Sequence, residues 1–288
     1  MTNLMLYGIT PEKIISIPVP TGISKLNNLY DGFPVGVYSV FRTFDHNKFL
    51  WLQNHFDRLD QSMVLLKWKY QLDHVLLRQS LHKICSSIPW SNARVRIDVL
   101  KTPMPVNEIR TRLLIGLEKF TETSQSIIHN GVAVEIASGL IRVIPMAKTA
   151  DFVFQRSAFL AKNPNPTYEY LMIDKNNNIL EGTSSNFYGV INNEVWTADS
   201  NILRGITREI ILSLFSNNNF TIQLQAIPLS DVKLLSEAFL SSSTRGLVPV
   251  VQVGRQRIGN GKPGPIYQAI LRDYNQFVTK SIKIAVET

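Results

Sequence analysis

Cysteine is nearly absent from this chain. Only Cys85 among its 288 residues carries a thiol, which rules out intramolecular disulfides and cysteine-rich metal sites and fits a reducing cytoplasm. Long apolar runs are missing too, with no stretch approaching the roughly 20 residues that span a bilayer. The opening residues, MTNLMLYGITPEK, hold no basic segment followed by an apolar stretch and a small-residue cleavage site. No export signal and no membrane association is therefore expected. The five histidines are scattered without metal-ligand spacing. No metal site is expected, and His55 and His129 read as ordinary surface or pocket residues. There is no internal repeat and no low-complexity segment.

What is present is the balance of a soluble globular protein, 44% hydrophobic and 18% charged, with length enough for two modest domains. The formal charge of +8 invites a nucleic-acid reading, since phosphate binding needs clustered Lys and Arg. The densest groups (Arg94, Arg96 and Lys101; Arg255 and Arg257) instead alternate with apolar residues, as in strands with one wet face. An anionic substrate or cofactor accounts for the surplus, and no nucleic-acid partner is expected.

Residues 35–44, VGVYSVFRTF, read as a strand in which Tyr38, Val40 and Arg42 share one face. Helices are expected at 49–68 and 72–86, and strands at 93–101 and 111–118. Polar residues thicken at Thr121–Ser126 and His129–Gly131, giving domains 1–120 and 132–288 with a linker at 121–131. Beyond it, VAVEIAS is a strand, and 152–162 a helix stopped by Asn163-Pro164-Asn165-Pro166. TYEYLMID and ILEGTSSNFYGVI are strands, and Asn192-Asn193 turns a hairpin into EVWTA. Helices at 206–216, 230–236 and 265–280 flank the strands AFLSSS and LVPVVQV. Without regular βαβ alternation the fold class is α+β.

Four pieces carry chemistry: the lysine of PMAKTADF, the acid of ILEGTSSNF, the Gly-led helix start of ILRGITREIILSLF, and the serines of AFLSSSTRG. Each has a bland reading. A lone lysine is usually a solvated charge, Glu181 in an apolar strand usually forms a structural salt bridge, Thr207 could sit near a cap, and Ser241–Ser243 could be loop polarity. Together they suit one cofactor. A helix start beginning at Gly205 and Ile206 offers N–H groups and a dipole to a phosphate. Thr207, Ser242 and Ser243 add hydroxyls, and Arg58 a bidentate guanidinium. Glu181 can keep a pyridine nitrogen protonated. Lys148, in cation-rich surroundings, can form an imine.

In this order HFDRL (55–59), PMAKTADF, EGTSSNF (181–187), LRGITRE (203–209), FLSSSTRGLVPV (239–250) and the closing GNGKPGP resemble the class IV aminotransferases. These are the fold-type IV pyridoxal-phosphate enzymes, which include branched-chain and D-amino-acid aminotransferases and aminodeoxychorismate lyase. The resemblance spans about residues 30–270. It implies that Lys148 carries pyridoxal 5'-phosphate as a Schiff base and shuttles the proton, and that Glu181 pairs with the pyridinium. It further implies that Arg58, Ile206, Thr207 and Ser243 hold the phosphate, that the backbone around Thr244 and Arg245 faces the substrate carboxylate, and that Tyr38, with Arg42 on the same face, lines the substrate pocket. The implied fold is a small α/β N-terminal domain and a larger C-terminal domain with a barrel-like sheet, in a homodimer. The implied reaction is ping-pong transfer of an amino group between a D- or branched-chain amino acid and a 2-oxo acid.

Ser39 stands where most members carry an acid after the aromatic, no Arg-x-His pair follows residue 100, and residues 152–154 are Phe-Val-Phe where branched-chain enzymes have a tyrosine. The rival readings are an aminodeoxychorismate lyase on the same fold, a non-catalytic binding protein on this scaffold, and a dinucleotide enzyme suggested by the glycines of 259–264. Prolines 263 and 265 and the lack of a following βαβ unit argue against the last.

Overall fold

The computed structural model describes residues 3–30, 32–106, 108–164 and 167–286. The chain divides into two compact units. One holds the residues through Thr121, the segment Ala147–Phe154 and the chain from Ser281 on; the other holds Glu122–Met146 and Gln155–Lys280.

The first unit is an antiparallel sheet backed by two helices. Its strands are β1 (Leu4–Ile9), β2 (Ile14–Ile17), β3 (Gly36–Arg42), the short β4 (Lys48–Leu50), β5 (Ala93–Val106) and β6 (Ile109–Lys119). The sheet runs β2-β1-β6-β5-β3. The strand expected at 35–44 is β3, and the two expected at 93–101 and 111–118 are β5 and β6, each longer than its apolar core. The helices expected at 49–68 and 72–86 are α1 (Leu52–Leu65) and α2 (His74–Ser87). Asp73 starts α2 by accepting from the Leu76 N–H, as an N-cap carboxylate does. Along β3, Val37 and Phe41 point into a core shared with Leu52, Phe56, Leu59 and Met63 of α1. That apolar row lies at intervals of three and four, on one face of the helix. Beside it runs a second, polar row of His55, Arg58 and Ser62, and all three are buried. Burial of His55 excludes the surface half of its reading as a surface or pocket residue: the spacing of a helix turned toward a strand carries it inward with Arg58.

In the second unit, α3 (Gln125–Asn130) lies within the segment expected to be linker. It is started by Ser124, whose hydroxyl accepts from Ile127 N–H. Then come β7 (Val132–Ala137), α4 (Ala150–Lys162, of which Ala150–Phe154 belongs to the first unit), β8 (Glu169–Ile173), β9 (Asn178–Gly182), β10 (Asn186–Ile191), β11 (Glu194–Trp196), α5 (Ile206–Asn217), β12 (Ile222–Gln223) and β13 (Ile227–Pro228). After them β14 (Glu237–Ser242), β15 (Gly246–Val253), β16 (Gln256–Arg257) and α6 (Pro265–Ser281) complete the unit. The helix expected at 230–236 is a 3-10 helix over Leu229–Leu234. Asn163 and Pro164 follow the end of α4, whereas Asn165 and Pro166 of the expected stop lie outside the described residues.

Six strands close a barrel in the order β10-β14-β15-β7-β8-β9, and a pairing of β9 with β10 at Glu181 and Asn186 completes the ring. The neighbours β15–β7 and β7–β8 are parallel and the rest antiparallel. Phe187, Ala238, Leu240, Val248 and Val250 belong to one core cluster. On the opposite pleat Tyr188 and Phe239 stack at 4.7 Å and meet Phe215 of α5 and Tyr267 of α6, the alternation that strand side chains impose. A last short strand, β17 (Ile282–Ile284), pairs with β4 in the first unit. No helix among the described residues is long and apolar enough to cross a membrane.

Candidate active site

Three of the expected residues come together in the first unit. Lys148 lies on a segment bound to β3: the Tyr38 N–H donates to the Lys148 carbonyl at 3.0 Å, and Val37 bridges Thr149. The Lys148 N–H donates to Ser62 Oγ at 3.1 Å, and Ser62 Oγ in turn donates to the Arg58 carbonyl at 2.7 Å. The Lys148 Nζ stands 4.8 Å from the centroid of the Tyr38 ring. Arg58 Nη2 donates to Ser39 Oγ at 2.9 Å, and Ser39 Oγ is 2.9 Å from His55 Nδ1. Burial, then the charges of Arg58 and Lys148, push the His55 pKa well below its ordinary value, so the ring is neutral.

Tyr38 is braced from its own face of the sheet. The Arg96 guanidinium is stacked between the Tyr30 and Tyr38 rings, 3.8 and 4.4 Å from their centroids, and is fixed by a bidentate pair with Asp98. Arg42 shares that face, as the alternation requires. Its guanidinium stacks on Phe44 and Phe120 at 4.5 and 4.0 Å, four residues along the strand from Tyr38.

The second unit gathers the others. Glu181, with its side chain 3% exposed, pairs with Arg142 at 2.9 Å. It also accepts from the Leu203 N–H at 3.1 Å and, through Oε2, from Asn186 Nδ2 at 3.3 Å. The salt bridge of the bland reading is thus real, and it secures a buried carboxylate that can face a second cation. Gly205 precedes α5 with no side-chain cap on the helix. An added Cβ there would run into Asn186 Oδ1, so glycine lets the helix start approach the amide that supports Glu181 without displacing it. At the second residue of the helix, Thr207 Oγ1 donates to Ser243 Oγ at 3.4 Å. The start of α5 therefore combines N–H groups, two hydroxyls and the positive end of a helix dipole, a setting that suits an anion.

Ser242, Thr244 and Arg245 belong to the turn between β14 and β15. Ser242 Oγ accepts from both the N–H and Nε of Arg245 at 3.3 Å, and the Arg245 carbonyl accepts from Thr123 Oγ1. Arg245 Nη2 pairs with Glu169 at 3.0 Å and reaches Ser184. Glu169, unmarked in the sequence reading, is the hub of this turn, accepting also from Thr183 and Ser185. Ser62, Arg142 and Asn186 were likewise missed. For Ser62 the signal was present in H-x-x-R-x-x-x-S, a same-face helical spacing, whereas Arg142 is a lone residue in an apolar stretch.

The glycine-rich segment 259–264 has a structural explanation. The N–H groups of Ile266 and Tyr267 at the start of α6 donate to Glu237 at 3.0 and 2.8 Å. A Cβ at Gly264 would collide with the Glu237 carboxyl group. An internal carboxylate thus takes the place that a phosphate occupies in a dinucleotide motif.

Residues 36–253 match the amino-transferase class IV family. The D-alanine aminotransferase of Listeria monocytogenes serotype 1/2a (strain 10403S) is 23% identical over 262 residues, covering 86% of this chain and 89% of that protein. The branched-chain-amino-acid aminotransferase of Pseudomonas aeruginosa is 27% identical over 112 residues, covering 38% of this chain and 36% of that protein. Among solved structures, the T.th. branched-chain amino acid aminotransferase with pyridoxamine 5'-phosphate superposes with a TM-score of 0.79 at 15% identity, covering 98% of each chain. The Escherichia coli branched-chain enzyme does so with a TM-score of 0.77 at 18% identity, covering 98% of this chain and 99% of that one. The barrel and its partner unit are the fold of a fold-type IV enzyme. The chain belongs to the class IV aminotransferases. It is an aminotransferase dependent on pyridoxal phosphate.

Proposed function

We propose that the enzyme carries its cofactor on Lys148 and transfers amino groups by a ping-pong cycle, in which a first amino acid leaves as its 2-oxo acid before a second 2-oxo acid enters. The observation that carries this reading is the mounting of Lys148. Its carbonyl is tied to Tyr38 and its N–H to Ser62, one helical turn from Arg58. Pyridoxal phosphate supplies an aldehyde for amines to capture and a ring that, when protonated, takes up electrons. The donor set fits it. Lys148 Nζ offers the amine and moves the proton off the substrate α-carbon. In the first unit Arg58 offers a guanidinium suited to a phosphate, and in the second the start of α5, with Thr207 and Ser243, offers N–H groups and hydroxyls suited to one. Glu181, paired with Arg142 at 2.9 Å, offers its carboxylate to the protonated ring nitrogen. Tyr38 lines the substrate side, held in place by Arg96.

The substrate is an amino acid of D-alanine or branched-chain type, in keeping with the named relatives. The enzyme works in the cytoplasm as a homodimer; the dimer is supported by the apolar side chains of Ile141, Val143 and Met146, which are exposed on one loop of the second unit. Borohydride reduction of the loaded enzyme followed by peptide mass spectrometry should place the cofactor on Lys148, and Lys148→Ala should abolish turnover while the protein stays folded. A label on another lysine, or full activity in the variant, overturns the assignment. A panel of D- and L-amino acids with 2-oxo acid acceptors then fixes the substrate.

A further inference from the structure

Two buried serines that the sequence gives no role sit at the two ends of Arg58, one at its guanidinium and one between its carbonyl and the Lys148 backbone. Ser39, fully buried on β3, accepts from Arg58 Nη2 and touches His55 Nδ1, both at 2.9 Å. A hydroxyl has one proton to give and two lone pairs. With Arg58 donating to it, the Ser39 proton goes to His55 Nδ1, and the neutral imidazole keeps its own proton on Nε2. Ser39 thereby holds one edge of the guanidinium fork, fixing which way the remaining donors point. Ser62, also fully buried, acts at the other end of the same residue. It donates to the Arg58 carbonyl and accepts from the Lys148 N–H, so it registers the backbone of Lys148 against α1.

We infer that Ser39 and Ser62 are positioning residues with separable duties: Ser39 aims the Arg58 guanidinium at the cofactor's phosphate, and Ser62 seats the lysine that captures its aldehyde. The inference rests on the cofactor reading proposed above. Fixing the fork in advance matters because a guanidinium that must be ordered on binding loses side-chain entropy that a preorganised one does not.

The two duties separate in apoprotein titrated with pyridoxal 5'-phosphate and, in parallel, with pyridoxal, which lacks the phosphate. Ser39→Ala should weaken binding of the phosphorylated compound about tenfold, the scale of one hydrogen bond to a charged group, and leave pyridoxal unchanged. Ser39→Thr, which keeps the hydroxyl in a strand, should restore the preference. Ser62→Ala should slow capture of both compounds by the same factor, so that their ratio stays at the wild-type value. Unchanged pyridoxal binding in Ser39→Ala also reports that the fold is intact. An unaltered ratio in Ser39→Ala, or equal weakening of both compounds, overturns the inference, as does a Ser62→Ala defect confined to the phosphorylated compound. These outcomes leave the borohydride label on Lys148 untouched. A wild-type protein that does not prefer the phosphorylated compound removes the cofactor reading and this inference with it.

Discussion

Replacing Glu169 with glutamine removes a charge whose contribution to stability can be worked out from its surroundings. The carboxylate side chain is 2% exposed. It accepts from Arg245 at 3.0 Å, Thr183 at 2.6 Å, Ser184 at 2.5 Å and Ser185 at 3.2 Å. Burial opposes its ionisation, but the charges of Arg245 and Arg156 and the hydroxyls of Ser184 and Thr183 outweigh burial and bring its pKa from 4.5 down to about 2. A carboxylate with a depressed native pKa stabilises the fold above the unfolded value, and the benefit is lost as pH falls toward the native one. The gap of about 2.5 pH units corresponds to about 3 kcal/mol at neutral pH. Urea unfolding of Glu169→Gln should show it less stable by that amount at pH 7. The difference should shrink to about 2 kcal/mol at pH 3.5 and approach zero near pH 2. Equal stability at pH 7 would refute the reasoning. A deficit that stays constant down to pH 3.5 would refute it too, because the lost quantity would then be packing rather than charge.

Gly205→Ala should cost about 1–3 kcal/mol and loosen cofactor retention, because its Cβ would run into Asn186 Oδ1 and displace the amide that donates to Glu181 and to the Leu203 carbonyl. Wild-type melting temperature and cofactor affinity in that variant would show that the close approach is dispensable. The Cys85 thiol, fully buried and pushed up to about 12 by burial, should resist a disulfide reagent at pH 8 until urea unfolds the protein. Rapid modification of the folded protein would contradict that burial. Native His55 stays neutral while the unfolded chain takes up a proton below about pH 6.5, so stability should fall with pH from there by up to about 1.4 kcal/mol per unit. His55→Gln should remove that part of the slope, and an unchanged slope between pH 6.5 and 5 would exclude His55 as its source.

Elements with a clear period were legible: α1, α2, α5 and α6, and the strands around Tyr38, Glu181 and Leu240. The short strands β2, β12 and β13, the first strand β1 and the pairing of β4 with β17 were not. Two to six residues carry too little pattern, and their pairing partners lie far away in sequence, Ile282 opposite Leu50 for instance. Helix α3 hid among polar residues because its start depends on the Ser124 cap rather than on an apolar stripe. The attachment of Ala147–Phe154 to the first unit was equally invisible. It includes backbone pairing with β3, Tyr38 N–H to the Lys148 carbonyl and Val37 opposite Thr149, for which side chains give no signal.

The same limit explains which residues of the proposed site could be found by reading. Lys148, Glu181 and Thr207 stand in segments whose residue types are unusual for their setting, an acid in an apolar strand above all. Their supports are not unusual in that way. Arg142 becomes meaningful only because β9 turns Glu181 toward it. Glu169 matters only because the pairing of β8 with β9 sets it against Thr183, Ser184 and, at the next turn, Arg245. A buried charge needs several donors converging from separate strands, and convergence is a property of the closed barrel, not of any short stretch of sequence. Residues of unusual type for their setting can therefore be recognised one at a time, whereas the groups that hold them become visible only as a set, once the ring between Glu181 and Asn186 is closed.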